Sequence, residues 1–229
     1  MDEFDKALIE AQEQKSETWH DIRAGRFTSS EMHKLLGDPR SKEAKERGEW
    51  NDAAETYIHT KVAEQLTGLT HSVSNQGTGP LAWGEDNEPI AREYYQTQVL
   101  DILGLTVTKA GFTVYGDHAG GSPDGFVGDD ALLEIKCPYN PANQIDYLKM
   151  KTVSDLKKLH PEYWTQCQSN LIFTKRKSGI FIAFDPRFKI RKQIMNELEF
   201  GIDNERQDLI LTRLEKAIIT KLEIVNSLS

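Results

Sequence analysis

Between residues 112 and 137 the spacing of apolar residues shortens from a helical repeat to a period of two, and Gly, Asp and Pro cut the segment repeatedly. Phe112-Thr-Val114-Tyr115, Gly125-Phe126-Val127 and Leu132-Leu133-Glu134-Ile135-Lys136 are each short and separated by turn-forming residues. That pattern reads as antiparallel strands. On either side the repeat is helical. Ala53, Tyr57, Val62 and Leu66 form a stripe in 52–67, and a helix is expected from about Asp86 to Gln98 with Pro89 in its first turn. A further helix runs from Pro161 through Phe173. A buried strand, Gly179 to Phe184, is stopped by Asp185-Pro186-Arg187, and an amphipathic helix over about 204–226 carries Leu209, Leu214, Ile218 and Leu222. Helices flanking a small mixed β-sheet make the class α/β (α+β). In 229 residues there is no internal repeat and no low-complexity linker, so one domain is expected.

The remaining segments are less regular. Residues 3–15 place Phe4, Leu8 and Ala11 at helical spacing. Thr28 or Ser29 is expected to N-cap a helix through Met32, Leu35 and Leu36, ended by Gly37-Asp38-Pro39. Lys42 to Trp50 reads as a charged loop or a solvated helix, and 68–79 as a loop. The lysine-rich stretch 142–160 has no assignment.

On a strand, residues two apart share a face. Glu134 and Lys136 therefore point one way together with Leu132, while Leu133, Ile135 and Cys137 point the other. A tight Gly128-Asp129-Asp130 turn brings Asp124 back beside Glu134, so two carboxylates and an ammonium converge. Carboxylates that close repel unless a cation is held between them. Mg²⁺ is hard, prefers oxygen, and is commonly bound by one or two carboxylates plus a substrate phosphate. It would polarise a phosphodiester and acidify a bound water, while Lys136 orients that water or stabilises charge on the phosphate. Read from these residues alone, a metallohydrolase site and a half-exposed solvated hairpin stand as alternatives.

Composition narrows the classes. A net charge of -8 argues against a protein that simply coats nucleic acid, but carboxylates gathered at a metal site are neutralised by the cation. Cys137 and Cys167 are too few for a disulfide framework or a four-cysteine metal site, and none of the six histidines stands at zinc-ligand spacing. No apolar run approaches the roughly 20 residues that span a bilayer. The acidic Met1-Asp-Glu-Phe-Asp start does not read as a signal peptide, so a reducing cytoplasm is expected.

Asp124-x9-Glu134-x-Lys136, with Pro123 before the Asp, resembles the PD-(D/E)xK nuclease signature. Around it stand Trp19-His-x2-Arg23-x4-Thr28-x-Ser30-Glu31, Leu-Ala-Trp83-Gly84-x3-Glu88, Ser122-Pro-Asp124-Gly, Glu134-x-Lys136-Cys-Pro138 and Tyr163-x2-Gln166-x-Gln168. In that order they are similar to phage lambda exonuclease and its YqaJ-type viral recombinase relatives, from about residue 17 to 188. The resemblance implies a restriction-endonuclease-like core. It implies that Asp124 and Glu134 ligate metal, with the Ile135 carbonyl as a further ligand. Lys136 would be the catalytic lysine, Glu88 would help hold a second ion, and Gln166 would face the same site with Tyr163 one turn earlier. Two Mg²⁺ ions (Mn²⁺ possible) are implied per site. Arg23, Thr28, Ser30 and Ser122 correspond to positions that bind the 5′-phosphate of the strand being degraded, which suits a guanidinium and neutral hydroxyl donors. Without the resemblance, Glu88 reads as an acidic helix start, the 28–30 cluster as capping, and Arg23 as a surface residue.

The implied activity is 5′→3′ hydrolysis of the 5′-terminated strand of linear double-stranded DNA to mononucleotides, leaving 3′ overhangs for phage-type strand annealing. A ring-shaped homotrimer around DNA, a single-strand annealing protein as partner, and a phage or prophage gene in a bacterial host cell accompany it. Two other readings are a RecB-type or restriction-like PD-(D/E)xK nuclease without 5′-phosphate dependence, and a catalytically idle DNA-end-binding module. Trp19, Trp83 and Trp164 are expected in core packing beside the motifs. Lys149, Lys151, Lys157 and Lys158 are either contacts to the DNA backbone or a solvated face.

Overall fold

A five-stranded sheet with spatial order β2-β5-β6-β7-β8 lies at the centre of the computed structural model, which describes residues 17–70 and 79–228. Its strands are β2 (Val107–Thr108), β5 (Gly125–Val127), β6 (Ala131–Lys136), β7 (Ser178–Phe184) and β8 (Met195–Gly201). Beside it stands a second sheet, ordered β1-β4-β3, of β1 (Phe27–Thr28), β3 (Thr113–Tyr115) and β4 (Ala119–Gly121). The helices are α1 (Glu17–Arg23), α2 (Lys42–Glu46), α3 (Asp52–Thr67), α4 (Pro80–Tyr95), α5 (Asp101–Leu103), α6 (Pro141–Lys149), α7 (Val153–Leu159), α8 (Pro161–Thr174), α9 (Arg191–Ile194) and α10 (Asn204–Leu228). The class is therefore the mixed α/β arrangement expected, although the strands divide into two small sheets rather than one. None of the described helices is long and apolar enough to cross a membrane.

Strand β6 organises the central sheet. It pairs antiparallel with β5, Gly125 opposite Leu133, across a turn where Gly128 takes a φ of 55°. On its other side it runs parallel to β7, with Leu133 beside Ile180 and Lys136 beside Ala183. A parallel pair needs a long crossover, and α6, α7 and α8 supply it. The alternation read from sequence holds. Leu132 packs with Tyr147, Trp164 and Leu171 on the face covered by these helices. Leu133 and Ile135 pack with Ala91, Tyr95 and Ile182 on the face covered by α4. Burying each of these side chains stabilises the fold by about 1.5–3 kcal/mol. At the β7–β8 pair the Phe200 ring lies over Gly179, where an added Cβ would collide with it.

Several expectations are corrected. The helix expected from Asp86 begins at Pro80, so that proline occupies the first turn and Pro89 lies inside the helix. The segment after Thr28 is a 3₁₀ helix, Ser29–Leu35, and the Thr28 side chain makes no capping bond; its hydroxyl lies 3.4 Å from both Ser30 Oγ and Tyr57 Oη. On α3 the stripe is rotated: Ala53 and Leu66 are exposed, and Ala54, Tyr57, Ile58, Lys61, Val62 and Glu64 are buried. On α10 Leu209 is exposed, whereas Ile210, Leu214, Ala217 and Lys221 face inward. In both helices charged residues take inward positions, which an apolar periodicity passes over. The unassigned 142–160 stretch forms α6 and α7, capped by Asn140 and by a Thr152/Asp155 capping box. The helix expected over 3–15 and most of the 68–79 loop lie outside the described residues.

A second core joins the three-stranded sheet to α3, α8 and α10, with Phe27, Met32, Leu35, Tyr57, Phe173, Ile210 and Leu214 in contact. At its edge Lys221 is buried, donating to the Gly25 carbonyl oxygen at 2.8 Å. Burial, with the charges of Arg26 and Lys61, pushes its ammonium down to about 8 from the ordinary 10.5, against the pull of Glu64. Between those values the unfolded chain binds more protons than the folded one, so this group's destabilising contribution is full below pH 8 and fades as pH rises. In urea unfolding, wild type is expected to gain stability relative to Lys221→Met as pH is raised from below about 8 towards 10.5. A pH-independent difference between the two would contradict the depressed value.

Candidate active site

The hairpin β5–β6 brings the acidic pair together as the spacing requires. Asp124 precedes β5, and its backbone N–H donates to the Leu133 carbonyl at 2.9 Å. Its Oδ2 accepts the Ile135 N–H at 2.6 Å, fixing the carboxyl against the partner strand. Glu134 is fully buried on the β6 face that looks towards α8. Its Oε1 accepts from Lys136 Nζ at 2.6 Å and its Oε2 from Asn170 Nδ2 at 3.0 Å. Lys136 also donates to Gln166 Oε1 at 3.2 Å and stands 4.9 Å from the Tyr163 ring centroid. Gln166 and Tyr163 therefore reach the site from α8. Glu88 reaches it from α4 on the opposite side: it is paired with Arg92, whose Nε donates to the Asp124 carbonyl oxygen at 3.0 Å.

The electrostatics follow from burial. Asp124 is held well above the usual carboxylate range by desolvation and by repulsion from Glu134 and Glu88, against the pull of Lys136 and the Ile135 N–H. Glu134 is raised by burial too, with Lys136 and Asn170 drawing it back. Burial alone would lower the Lys136 ammonium, but Glu134 and Asp124 outweigh it and hold it above its ordinary range. The lysine is thus a fixed cation, suited to orienting groups and stabilising negative charge.

Asp124 and Glu134 meet at the hairpin, with the charge of Glu88 felt by both, and carboxylate oxygens are a hard donor set suited to Mg²⁺ or Mn²⁺. Among the described residues no three His, Cys, Asp or Glu side chains form a cage that could hold a metal by themselves. Magnesium commonly uses only one or two carboxylates, with water and phosphate completing the shell. The residues present fit such an ion.

The second set of sequence candidates gathers around α1 and β1. The Arg23 guanidinium lies 3.9 Å from the Trp19 ring centroid, and Trp19 Nε1 donates to Ser122 Oγ at 3.0 Å. Burial lowers Arg23 from its ordinary value, countered by Tyr57, Glu31 and Glu64. Thr28 and Ser30 stand with their hydroxyls 3.4 Å apart. Trp19 is therefore buried as expected, yet it also links Arg23 to the loop that precedes Asp124. Trp164 is buried with its Nε1 on Asp203, and Trp83 lies beneath Arg187. Gln168 turns away from the site and ties Gly201 to Asp203. Of the four surface lysines, Lys149 pairs with Asp146, Lys157 with Asp203, and Lys151 donates to the Leu148 carbonyl.

Neither the Arg92 brace nor the Asn170 bond to Glu134 is expected from the sequence, where Asn170 reads only as part of a half-polar helix face. Arg92 and Asn170 each sit four residues after a candidate, Glu88 and Gln166, and that helical spacing was the available signal. Asn170 Oδ1 is buried without a hydrogen-bond partner among the described residues. A Cβ at Gly121 would collide with it and with Ser29 Oγ, so Gly121 is the wall shared by the two halves of the site.

Residues 18–177 match the YqaJ-like viral recombinase domain, a span that contains every candidate residue from Arg23 to Gln166. The chain belongs to that family. Its fold is similar to that of an alkaline exonuclease (LHK-Exo) from Laribacter hongkongensis, at a TM-score of 0.75 and 24% identity over 93% of this chain and 96% of that one. The same figures hold for that protein in complex with dAMP. A phage related exonuclease from Haemophilus somnus 129PT is similar at a TM-score of 0.68 and 17% identity, over 89% of this family member and 96% of that chain. No curated protein sequence matched.

The charges predict opposite effects on stability in the presence of a chelator. Asp124→Asn relieves a repelled buried carboxylate and is expected to raise the melting temperature. Glu134→Gln strips Lys136 of its counter-charge and is expected to cost about 3 kcal/mol, the lower end for a broken buried pair because Gln166 remains. Calorimetric melting in EDTA checks both signs; a stabilised Glu134→Gln would contradict this electrostatic account.

Proposed function

We propose that this protein is a metal-dependent exonuclease that grips a 5′-phosphorylated end of linear double-stranded DNA. It hydrolyses the 5′-terminated strand to mononucleotides and leaves 3′ overhangs for phage-type recombination by strand annealing. The observation that carries the reading is a continuity. Asp124, Glu134 and Lys136 converge on one hairpin, while Ser122, two residues before Asp124, is bonded to the tryptophan beneath Arg23. A phosphodiester site and a grip for a terminal phosphate thus adjoin along one stretch of chain. Membership of a viral recombinase family supports the setting, and the dAMP complex of a similarly folded exonuclease fits mononucleotide release.

In this reading Asp124, Glu134, the Ile135 carbonyl and Glu88 hold two Mg²⁺ (or Mn²⁺) ions. Such ions supply Lewis-acid polarisation of the phosphodiester and acidify water. Lys136, a fixed cation, orients the attacking water and stabilises charge on the phosphate, and Gln166 holds its ammonium in place. Arg23, Thr28, Ser30 and Ser122 bind the 5′-phosphate and so set which bond lies over the carboxylates. A homotrimeric ring enclosing DNA reconciles a net charge of -8 with tracking along a polyanion, because enclosure rather than affinity prevents escape. The partner is a single-strand annealing protein that loads on the new overhang. The setting is the cytoplasm of a bacterial host carrying the gene on a phage or prophage.

Digestion of linear duplexes with and without 5′-phosphate, in Mg²⁺, tests the reading. Lys136→Ala is expected to slow mononucleotide release by about 10²-fold or more. Equal rates for Lys136→Ala and wild type would remove that lysine from the mechanism. Arg23→Ala loses a charge-assisted contact of about 1.5–3 kcal/mol, so its preference for phosphorylated ends should fall about tenfold or more. An unchanged preference would point to a PD-(D/E)xK nuclease that does not read the end.

A further inference from the structure

Four consecutive amides, Gly25 to Thr28, lie between Arg23 and Ser30, and each N–H has a partner. Gly25 N–H donates to Glu64 Oε2 at 3.0 Å, and Arg26 N–H donates to the Arg23 carbonyl at 3.0 Å. Phe27 N–H donates to the His118 carbonyl at 2.8 Å and Thr28 N–H to Tyr57 Oη at 2.8 Å. The Gly25 carbonyl accepts from Lys221 Nζ at 2.8 Å, and that ammonium also meets His118 Nδ1 at 3.2 Å. Gly25 takes a φ of 72°, and a Cβ there would lie 3.0 Å from Gln65 Cβ.

The side chains that hold this segment are buried and charged where apolar ones would be ordinary. Tyr57, Lys61 and Glu64 follow one another at intervals of four and three on α3, and so share its inward face. Lys61 Nζ lies 2.9 Å from the same Glu64 Oε2 that holds Gly25, and Lys221 comes from α10. Glu64 and Lys61 are each 4% exposed and Lys221 is 1% exposed. Buried ion pairs seldom stabilise more than a well-packed apolar replacement, but they fix register. Here Glu64, itself paired with Lys61, and Lys221 grip a single glycine by its N–H and its carbonyl, from two helices, two residues after Arg23 and three before Thr28.

We infer that Glu64 and Lys221 are positioning residues for the terminal-phosphate grip, clamping Gly25 so that Arg23 and the Thr28–Ser30 hydroxyls face one phosphate together. This rests on the end-reading function proposed above. It also gives a role to α3 and to α10, of which α10 lies beyond the family-matched span.

The test uses the full-length protein with Mg²⁺ and compares kcat/KM on 5′-phosphorylated and 5′-hydroxyl duplex ends, after circular dichroism has verified the fold. Lys221→Met and Glu64→Gln are each expected to lower the ratio of the two by roughly ten- to a hundredfold, the loss that a misplaced binding group brings. A merely structural role would slow both ends alike and leave the ratio unchanged, which overturns the inference. Should Lys221→Met fail to fold, the isosteric Glu64→Gln decides on the same ratio. Arg23→Ala in parallel separates the failures. If it leaves the ratio intact, the end-reading function falls and this inference with it. If it alone collapses the ratio, only the clamp is wrong.

Discussion

Glu134 sits in the middle of a strand whose two faces are both covered, so its carboxylate has no access to water and must be partnered from within. Lys136 takes one oxygen from the same strand face and Asn170 takes the other from α8. Much of the surrounding architecture follows. Helix α8 has to lie across β6 closely enough for Asn170 to reach, which α6 to α8 achieve by carrying the chain over to a parallel β7. The parallel pairing in turn covers the outer edge of β6, leaving the end of the β5–β6 hairpin as the place where further carboxylates gather. Asp124 and Glu88 come to that end and repel Glu134. A cluster of this kind is poor as scaffolding and good as a seat for a cation and a phosphate.

The two halves of the site are joined by a few residues of chain rather than by domain packing. Gly121 has no room for a side chain because Ser29 and Asn170 crowd it, one belonging to the 28–30 segment and the other to the Glu134 shell. Ser122 follows and takes the Trp19 N–H, and Asp124 comes two residues later. A displacement of the 28–30 segment would therefore be felt at the carboxylates. In the proposed enzyme this fixes how far the terminal phosphate lies from the bond to be cut, a distance that decides whether one nucleotide leaves at a time.

Legibility in the sequence tracked how local the physics was. The hairpin was legible because period two, a Gly-Asp-Asp turn and the Asp124, Glu134 and Lys136 spacing are all properties of sixteen or so neighbouring residues. Strand β8 was not, since only Leu198 and Phe200 are buried apolar residues on its inward face, too few for the alternation with Glu197 and Glu199 to stand out in a polar stretch. The rotated stripes of α3 and α10 have one cause. Lys61, Glu64 and Lys221 are inward residues that any apolar template scores as outward; Glu64 and Lys221 are held by Gly25, and Lys61 by Glu64. Arg92 and Asn170 were within reach of helical spacing, but nothing local distinguishes an arginine that braces a carboxylate from one that faces solvent.

The charge distribution answers the difficulty that the composition raises. A chain of net charge -8 has no excess of cations with which to hold a polyanion, and several of its surface lysines are already paired with nearby acids. The cations beside the candidate site differ in kind. Arg23 is held against Trp19, Lys136 is braced by Glu134 and Gln166, and Lys61 is buried against Glu64. Charges withdrawn from solvent are weakly screened by salt and strongly directional. In the proposed enzyme, recognition of one terminal phosphate rather than a length of backbone is served better by a few such fixed charges than by a basic surface.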